Sequence, residues 1–478
     1  MKSLVPAIVL LTAVSAVAAP AEPQADKPNI ILVMADDLGW GDVGFNGNKV
    51  IQTPQLDRMA ADGLRLTRFY TASPLCSPTR GSCLTGRYPW RFGVLAAHTA
   101  GMRMAEFTVA EVAHLKNYQT GFFGKWHLGW VKPEEKLPRG FYSPPWQHGF
   151  DETFATVSAV PTWNPTITPA GRISDEDGDQ STPTGEGAPW KGGKPYVHNG
   201  VEVSDNMAGD DSRVIMDRVI PFIRSASEKK QPFLACVWFH TPHEPVVAGP
   251  EYRKLYAEHG ILKQNYYGAI TAMDEQIGRL RAELRQLGIA SNTIVFFTSD
   301  NGPADAPAKK GIASAGPFRG HKHTMYEGGL RVPSLVEWPG HVAAGTTSGA
   351  MCATVDYFPT VVELTGASLG KKADRPIDGL SMMSVLTGST QERKAPLFFG
   401  YRRLYKDIDG QALVENRYKL LKSALPHGGY ELYDLIEDPS EKNDLAATQP
   451  EILAAMKARM AEYDESCRRS RDGADYEY

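Results

Sequence analysis

Two pairs of polar residues in this chain directly follow apolar runs and could bind a metal ion. Asp36 and Asp37 follow one run, and Asp300 and Asn301 follow another. Their side chains offer only oxygen atoms, which suit a hard cation such as Ca²⁺ or Mg²⁺ rather than zinc. Taken separately, each pair is also typical of a helix cap or a tight turn. The pairs therefore point to a cation site only if the fold brings them together.

Two further apolar runs end in residues suited to proton transfer and anion binding. One run leads into Lys125 and His127, and the other leads into His240. Imidazole titrates near neutral pH, so both histidines are candidates for general acid–base catalysis. Lys125 would supply a point charge for an anionic substrate. His243 lies in a proline-flanked turn and is either structural or substrate-binding.

The four apolar runs predict the strands that position these residues. They are Asn29–Met34, Gln119–Phe123, Phe233–Phe239 and Thr293–Thr298. Continuous apolar runs are typical of strands that are buried on both faces of a mostly parallel sheet. Helical patterns cover Pro54–Asp62, Phe107–Lys116, Asp211–Ser227 and Tyr266–Leu287. Strands that alternate with helices predict an α/β fold, in which ligands bind beyond the carboxyl ends of the strands. We therefore expect the four polar endings to form one site.

The rest of the chain suggests two unequal parts. We expect a main domain over residues 27–394 and a smaller α+β subdomain over 395–478. Within the main domain, residues 131–207 are rich in Pro, Gly, Asp, Trp and Thr, and they predict a loop-rich insertion near the site. This insertion is either simply solvated or faces the substrate, with Trp163 and Trp190 as candidate faces for stacking on a sugar.

The C-terminal residues change to a pattern of short strands and turns. The strand-like runs are Leu397–Phe399, Gln411–Val414, Tyr418–Leu421 and Glu431–Tyr433, and an amphipathic helical pattern covers Glu451–Ser466. This order predicts a small antiparallel sheet with a terminal helix.

The densest motif in the chain is Cys76-Ser-Pro-Thr-Arg80-Gly-Ser-Cys-Leu-Thr-Gly-Arg87. It resembles the signature C-x-P-x-R, followed by a short spacer and T-G-R, of the type I sulfatases. Further segments resemble that family in its order: Asp36-Asp37, Gly124–Gly129, His240–His243, Ser299–Gly302, Gly320–Lys322 and Glu327–Pro333. The resemblance is strong from Asn29 to Pro333 and looser over Leu432–Pro439. It implies an alkaline-phosphatase-like α/β fold.

The resemblance also implies a chemical role for Cys76. In the type I sulfatases, a maturation enzyme oxidises the cysteine at this position to formylglycine, and Pro78 and Arg80 match the pattern that this enzyme recognises. The hydrated aldehyde is a gem-diol, in which one hydroxyl attacks sulfur and the other later helps to expel sulfate. Cys83 matches a position that varies in the family, and we interpret it as a structural cysteine.

The remaining site residues take their expected roles from the same resemblance. One Ca²⁺ is expected on Asp36, Asp37, Asp300, Asn301 and the modified Cys76. Arg80, Lys125 and Lys322 are expected to surround the sulfate as fixed cations. His127 matches the base that acts on the sulfated intermediate, and His240 matches the group that protonates the leaving alcohol, with assistance from Lys322. His98, His321 and His323 are unassigned outer contacts.

The N-terminal segment predicts export. Residues 1–19 combine Lys2, an apolar run and small residues before Ala18 and Ala19, which is typical of a cleaved signal peptide. The run is shorter than the roughly 20 apolar residues of a membrane span. Because the first of the five cysteines is Cys76, the pattern does not fit a lipoprotein. We expect a periplasmic or secreted protein with no membrane span after signal cleavage.

Composition limits the partners of this 478-residue chain. Its net charge is −4, which gives no basic excess for nucleic-acid binding. The function that the resemblance implies is hydrolysis of a sulfate ester, and export together with the 131–207 segment favours a carbohydrate substrate; the sugar, the sulfate position and exo or endo action are left open. The alternatives are a phosphonate or phosphate ester hydrolase of the same superfamily, or a non-catalytic protein that binds sulfated glycans.

Overall fold

The computed structural model describes residues 27–132, 138, 140–169, 187–190, 194–370, 374–403, 408–422 and 429–476. The predicted signal peptide, residues 1–19, lies outside the described residues. Among the described helices, none is long and apolar enough to cross a membrane.

The strands and helices alternate over most of the chain. The strands are β1 Asn29–Ala35, β2 Leu64–Leu66, β3 Phe69–Tyr70, β4 Gln119–Lys125, β5 Glu152–Thr156, β6 Tyr196–His198, β7 Val201–Glu202, β8 Phe233–Trp238, β9 Thr293–Ser299, β10 Leu335–Glu337, β11 Thr346–Ser348, β12 Cys352–Ala353, β13 Leu397–Arg403, β14 Ile408–Val414, β15 Tyr418–Lys422 and β16 Tyr430–Asp434. The helices are α1 Pro54–Asp62, α2 Cys76–Thr85, α3 Pro89–Phe92, α4 Val109–His114, α5 Asp211–Glu228, α6 Pro250–Lys254, α7 Ile261–Gln286, α8 Asp305–Lys309, α9 Glu327–Leu330, α10 Tyr357–Thr365, α11 Met383–Leu386 and α12 Pro450–Arg469.

The largest sheet has ten strands in the order β11-β2-β10-β9-β1-β8-β4-β5-β6-β7. Its centre, β9-β1-β8-β4-β5, is parallel throughout, whereas β10, β6 and β7 join antiparallel to their inner neighbours. The predicted α/β class is confirmed, and the whole sheet is mixed rather than mostly parallel. All four predicted strands lie in the parallel centre.

Two apolar cores cover the two faces of this sheet. Side chains alternate along β1, so that Ile31 and Val33 pack into one core while Ile30 and Leu32 pack into the other. The first core includes buried residues of α5 and α7, and the second includes buried residues of α4 and α10. Burial on both faces explains why these strands are apolar throughout.

The predicted helical patterns are confirmed with shifted ends. In α7 the repeating apolar residues are all buried: Ile270, Met273, Ile277, Leu280 and Leu284. The helix begins five residues before the predicted Tyr266, at Ile261. The pattern predicted over Phe107–Lys116 forms the shorter α4, where Thr108 caps the first turn by accepting a hydrogen bond from the Glu111 amide.

The sequence did not predict several elements near the site. Helix α2 begins at Cys76 itself, and every one of its residues is buried. Strands β5, β6 and β7 lie inside the 131–207 segment that was expected to be loop-rich. Within that segment Trp190 is only 9% exposed and belongs to an apolar core, so the prediction that Trp190 is a sugar-stacking face is wrong. Trp163 is partly exposed.

The C-terminal subdomain has the predicted form, a four-stranded antiparallel sheet in the order β13-β14-β15-β16 and the helix α12. A buried ion cluster joins it to helix α9. The Nζ atom of Lys419 on β15 lies 3.0 Å from Oε1 of Glu327 and 2.8 Å from Oε1 of Glu441. Because Glu327 also accepts a hydrogen bond from the Tyr70 hydroxyl, this cluster anchors the segment that follows Lys322.

Candidate active site

The ends of the central parallel strands bring the predicted polar residues to one edge of the sheet. Ala35 pairs with Ser299, and Met34 pairs with Trp238, so β1, β9 and β8 end at the same level. On β4, Gly124 has φ 111° and pairs with Trp238, and a β-carbon there would lie 1.9 Å from the Trp238 carbonyl oxygen. Only glycine permits this close approach, which places Lys125 beside the β1 ending.

Cys76 lies at the first residue of α2 and is only 2% exposed. The amide groups of a helix N-terminus favour a negative charge on a bound group. Burial raises the pKa of the Cys76 thiol, although Lys125 and Lys322 oppose this effect. An unmodified thiol at this position is therefore poorly ionised near neutral pH, which does not favour a thiolate nucleophile.

Arg80 lies one helical turn after Cys76 and is fully buried. Its Nε and Nη2 atoms donate to Oδ2 of Asp300 at 3.0 and 2.7 Å, and its Nη1 donates to the carbonyl oxygen of Lys125 at 2.9 Å. These bonds use the planar fork of the guanidinium group and fix its orientation. Arg80 thereby links α2 to the ends of β4 and β9.

Two lysines neutralise the two aspartates that follow β1. The Nζ atom of Lys125 lies 2.7 Å from Oδ2 of Asp36, and the Nζ atom of Lys322 lies 2.7 and 2.9 Å from the two carboxylate oxygens of Asp37. Burial opposes ionisation of Asp37, but the nearby positive charge of Lys322 outweighs it and holds the pKa of Asp37 well below its usual range. The structure thus brings these two predicted lysines together with the two predicted aspartates.

The predicted metal ligands also lie together and leave oxygen atoms unused. Asn301 donates from Nδ2 to Oδ1 of Asp37 at 2.6 Å, and the Asp37 amide donates to Oδ1 of Asp300 at 3.1 Å. Among the described residues, Oδ1 of Asp36 and Oδ1 of Asn301 are buried and have no hydrogen-bond partner. Burial and the Asp36 carboxylate raise the pKa of Asp300 to about 7. Unused buried oxygens of this kind are what a bound hard cation would satisfy.

His127 follows β4 and keeps one ring nitrogen without a partner. Its side chain is 6% exposed, and its Nδ1 atom is buried with no hydrogen-bond partner among the described residues. Burial lowers its pKa well below the ordinary value, and the charges of Lys125 and Arg80 lower it further. The ring is therefore neutral near pH 7, as a general base requires.

His240 has no ring nitrogen free for a reacting group. Its side chain is fully buried, its Nδ1 lies 2.7 Å from Oδ2 of Asp211, and its Nε2 lies 2.8 Å from Oγ1 of Thr156. The Tyr196 hydroxyl donates to the other carboxylate oxygen of Asp211 at 2.5 Å. This placement does not favour the predicted role of His240 in protonating the leaving alcohol, because both nitrogens already have protein partners.

His243 reaches the cluster instead. Its Nε2 atom lies 3.8 Å from Oδ2 of Asp37, and its imidazole and the carboxylates of Asp36 and Asp37 are close enough together to share a cation. Its side chain is 25% exposed, whereas His240 is enclosed. Burial and the Lys125 charge lower the pKa of His243 to about 3, against the opposing effect of Asp37. The sequence left His243 as either structural or substrate-binding, since spacing alone does not show which of two histidines in a turn faces the site.

Comparisons with known proteins agree with this geometry. The profile of the sulfatase family matches residues 28–367, and a profile described as "N-sulphoglucosamine sulphohydrolase, C-terminal" matches residues 318–466. N-acetylgalactosamine-6-sulfatase of Rattus norvegicus is 34% identical over 424 residues, which cover 86% of this chain and 74% of the relative. Human arylsulfatase A is 33% identical over 482 residues, which cover 94% of this chain and 89% of the relative.

Solved structures share the fold over most of the chain. The structure of Ps i-CgsB in complex with k-i-k-neocarrahexaose has a TM-score of 0.79 and 27% identity, and the match covers 94% of this chain and 97% of that one. The phosphonate monoester hydrolase of Agrobacterium radiobacter shares the fold with a TM-score of 0.63 and 20% identity, over 93% of this chain and 96% of that one. Because the sulfatase profile covers most of the sequence and the relatives match over most of their length, the chain belongs to the sulfatase family and is a sulfuric ester hydrolase.

Proposed function

We propose that this enzyme hydrolyses sulfate esters of a sulfated carbohydrate, with formylglycine at position 76 and one bound Ca²⁺. The observation that supports this most directly is the set of charges around Cys76. Three buried cations, Arg80, Lys125 and Lys322, lie at the end of the sheet where α2 begins. A sulfate ester needs such fixed positive charge, because its transfer is stabilised mainly by positioned cations.

The chemistry at position 76 requires maturation of the cysteine by a formylglycine-generating enzyme. The hydrated aldehyde supplies a hydroxyl nucleophile and a second hydroxyl for the release of sulfate. Arg80 is held in a fixed orientation by Asp300 and by the Lys125 carbonyl oxygen, and it lies one helical turn after position 76. Lys125 and Lys322 supply charge for the sulfate oxygens without needing to move.

A cation would be held by side chains that lie ready for it. Asp36, Asp37, Asp300 and Asn301 supply oxygens, and the modified residue 76 completes the proposed ligand set. When bound, the cation would offset the charge of the sulfate and polarise an S–O bond. Asp36 and Asn301 each have an unused buried oxygen for this purpose. His243 lies beside this set but is left out of the proposed ligands, because an imidazole that binds the cation could not carry the proton for the leaving alcohol.

We assign the two proton-transfer roles to His127 and His243. His127 is neutral and has a bare, buried Nδ1, which suits it to remove a proton from the remaining hydroxyl at position 76. We propose His243, rather than His240, as the group that protonates the leaving alcohol, because its ring is partly exposed and approaches Asp37 beside Lys322. A bound sulfate would add negative charge and so favour protonation of His243. His240 and Asp211 then act as a buried support for the turn that carries His243.

The proposed substrate is a sulfated polysaccharide or its oligosaccharides. This proposal is supported by a relative named N-acetylgalactosamine-6-sulfatase and by a similar structure solved in complex with k-i-k-neocarrahexaose. We also propose export to the periplasm or outside the cell, since residues 1–19 are typical of a signal peptide. An exported enzyme would have access to extracellular polysaccharide.

The test combines maturation with a substrate panel. The chain is produced with and without a formylglycine-generating enzyme, and the mass of the Cys76 peptide shows whether conversion has occurred. We expect sulfate release from sulfated oligosaccharides only by the converted protein, with Cys76→Ala folded and inactive. Phosphate and phosphonate esters form a second arm. Faster turnover in that arm than on any sulfate ester would contradict the proposed substrate class.

A further inference from the structure

A second histidine contacts the proposed base. The Nε2 atom of His98 lies 3.3 Å from the Nε2 atom of His127, and the two rings meet edge to face with centroids 4.7 Å apart. His127 is buried, whereas His98 is exposed. The contact therefore joins the enclosed ring to the protein surface through a side chain from the segment between α3 and α4.

The backbone at both histidines is unusual in the same way. His98 has φ 58° and His127 has φ 56°, in the left-handed region that few residues other than glycine adopt. Such conformations persist where the surrounding structure fixes them, and they are frequent at functional sites. Both residues of this hydrogen bond have a left-handed backbone conformation. This indicates that the surrounding structure fixes the position of both rings.

The contact decides which nitrogen of His127 is available for chemistry. Its Nε2 is already bonded to His98, while its Nδ1 is buried and has no partner among the described residues. A general base must accept its proton on a bare nitrogen. If Nδ1 is that nitrogen, then the single proton of the neutral ring lies on Nε2 and points to His98.

We propose that His98 is a positioning residue that accepts the Nε2 proton of His127 and so holds Nδ1 bare for the release of sulfate. This proposal rests on the proposed function of His127. The roles resemble those in other enzymes where a base is oriented by a third group. His98 does not contact the reacting atoms in this proposal, since it acts through His127.

The step that His98 supports is the one that ends the reaction cycle. The O–H bond of the remaining hydroxyl on the sulfated residue 76 breaks, and its proton moves to Nδ1 of His127. The electron pair of that bond forms the C=O double bond, and the C–O bond to the sulfate breaks with its electrons on sulfate. His127 is then an imidazolium, whose Nε2 proton stays bonded to His98 until Nδ1 returns its proton to water.

The surroundings of His127 favour a neutral partner. The charged and titratable groups that act on His127 are Lys125, Arg80, His243 and His98 itself. The cations keep the resting ring of His127 neutral, and the proposed hydrogen bond requires His98 to accept as a neutral imidazole. A carboxylate in its place would favour the protonated ring and would weaken the base before the reaction begins.

The first test measures the proton positions directly and does not depend on maturation. Protein labelled with ¹⁵N-histidine, with Cys76 unmodified, is compared with a His127→Gln sample that identifies the His127 resonances among the 12 histidines. Protonated and bare ring nitrogens differ clearly in ¹⁵N shift. We expect a proton on Nε2 and a bare Nδ1 at pH 7.5, and a mixture of the two forms in His98→Leu. A proton on Nδ1 in the unsubstituted protein overturns the proposal.

The second test measures sulfate release by the matured enzyme. His98→Leu removes the acceptor, and His98→Gln restores one, since its amide oxygen reaches a similar position. We expect His98→Leu to release sulfate at least 10-fold more slowly and to accumulate a sulfated enzyme detectable by intact mass. His98→Gln should recover most of the rate. Because the step follows departure of the alcohol, the loss should be equal for an aryl sulfate and a sugar sulfate.

The control addresses the left-handed backbone. Asn117 is exposed, has φ 58° and lies at the opposite edge of the sheet, at the start of β4. Asn117→Leu therefore measures the cost of leucine in this conformation and should leave sulfate release unchanged.

If His98→Leu alters only KM for the sugar sulfate, His98 is a substrate contact and the proposal fails. If the matured, unsubstituted enzyme releases no sulfate from any ester, the proposed function fails while the NMR result still decides the pairing.

Discussion

The Nζ atom of Lys125 lies 2.7 Å from Oδ2 of Asp36, and both side chains are fully buried. Arg80 approaches the other carboxylate oxygen of Asp36 at 3.6 Å. Burying charges is costly unless they are paired, so this contact makes the lysine and the aspartate depend on each other. The same pair joins the ends of β1 and β4. The Lys125 ammonium group, which we propose binds the sulfate, therefore also stabilises the site.

Replacing Lys125 should therefore affect both activity and stability. Lys125→Met keeps the length of the side chain and removes its charge. We expect roughly 10²- to 10³-fold slower turnover, which is typical for the loss of a positioned charge, and a loss of about 3 kcal/mol in the free energy of unfolding, because Asp36 keeps a buried charge with less compensation. Lys229→Met, at an exposed lysine, is the control for both measurements. Wild-type turnover in Lys125→Met would remove Lys125 from the sulfate site.

The cation site predicts a change in the stability of the matured protein. Calcium at 100 times its Kd should raise the free energy of unfolding by about 2.7 kcal/mol, because it binds only the folded protein. Asn301→Leu removes one of the unused oxygens and should weaken this effect and lower the calcium content found by elemental analysis. Thermal melts with calcium and with a chelator give the comparison. Equal melting temperatures in both, with no calcium bound, would contradict the site.

Much of this site was predictable because parallel strands end together. Asp36, Lys125 and Asp300 each follow a continuous apolar run, and the sheet brings such endings to one edge. Lys322 follows no strand, and only its family motif indicated a place in the site. Its amide donates to the carbonyl oxygen of Pro303 at 2.9 Å and its Nζ atom donates to Asp37, and no local sequence pattern predicts these contacts.

Two features were not predictable from local sequence. Helix α2 contains Pro78 and Gly81, which are poor helix formers, and it persists because tertiary packing buries every residue. His240 and His243 share one short turn, and their roles differ only because Asp211 and Thr156 take both nitrogens of His240. The residue types around a histidine do not show which side chain from a distant element will form a hydrogen bond with its ring nitrogens.

A buried histidine away from the site should make stability fall in acid. His148 is 1% exposed, its Nε2 bonds Oγ of Ser143 at 2.7 Å, and burial lowers its pKa from 6.5 to about 4. Between these two values the unfolded chain binds a proton that the folded protein does not bind. Stability is therefore lost as pH falls from 6.5 towards 4, by up to about 3 kcal/mol from this group.

His148→Phe isolates this contribution, because it keeps an aromatic ring beside Trp126 and cannot be protonated. Its free energy of unfolding should be compared with that of the unsubstituted protein by urea unfolding at pH 7 and pH 4.5. We expect the unsubstituted protein to lose about 2 to 3 kcal/mol more than the variant over this interval. An equal loss in both proteins would show that His148 is not held neutral by the fold.

The two histidines of the turn should differ in their dependence on the leaving group. A sugar alkoxide is a strong base and needs a proton in the transition state, whereas a nitrophenolate is stable without one. If His243 donates that proton, His243→Gln should lose roughly 10²- to 10⁴-fold on a sugar sulfate and much less on an activated aryl sulfate. Rates are measured on both substrates with matured enzyme, under conditions where the first chemical step limits turnover.

His240→Asn is the matched comparison, because it keeps a short polar side chain and breaks the buried contact with Asp211. Leaving Asp211 without this partner should cost about 1 to 3 kcal/mol of stability. Since His240 acts only by supporting the turn, its loss should slow both substrates by the same factor. A loss in His240→Asn that is larger on the sugar sulfate, together with equal losses on both substrates in His243→Gln, would return the acid role to His240 and require the turn to reorient when substrate binds.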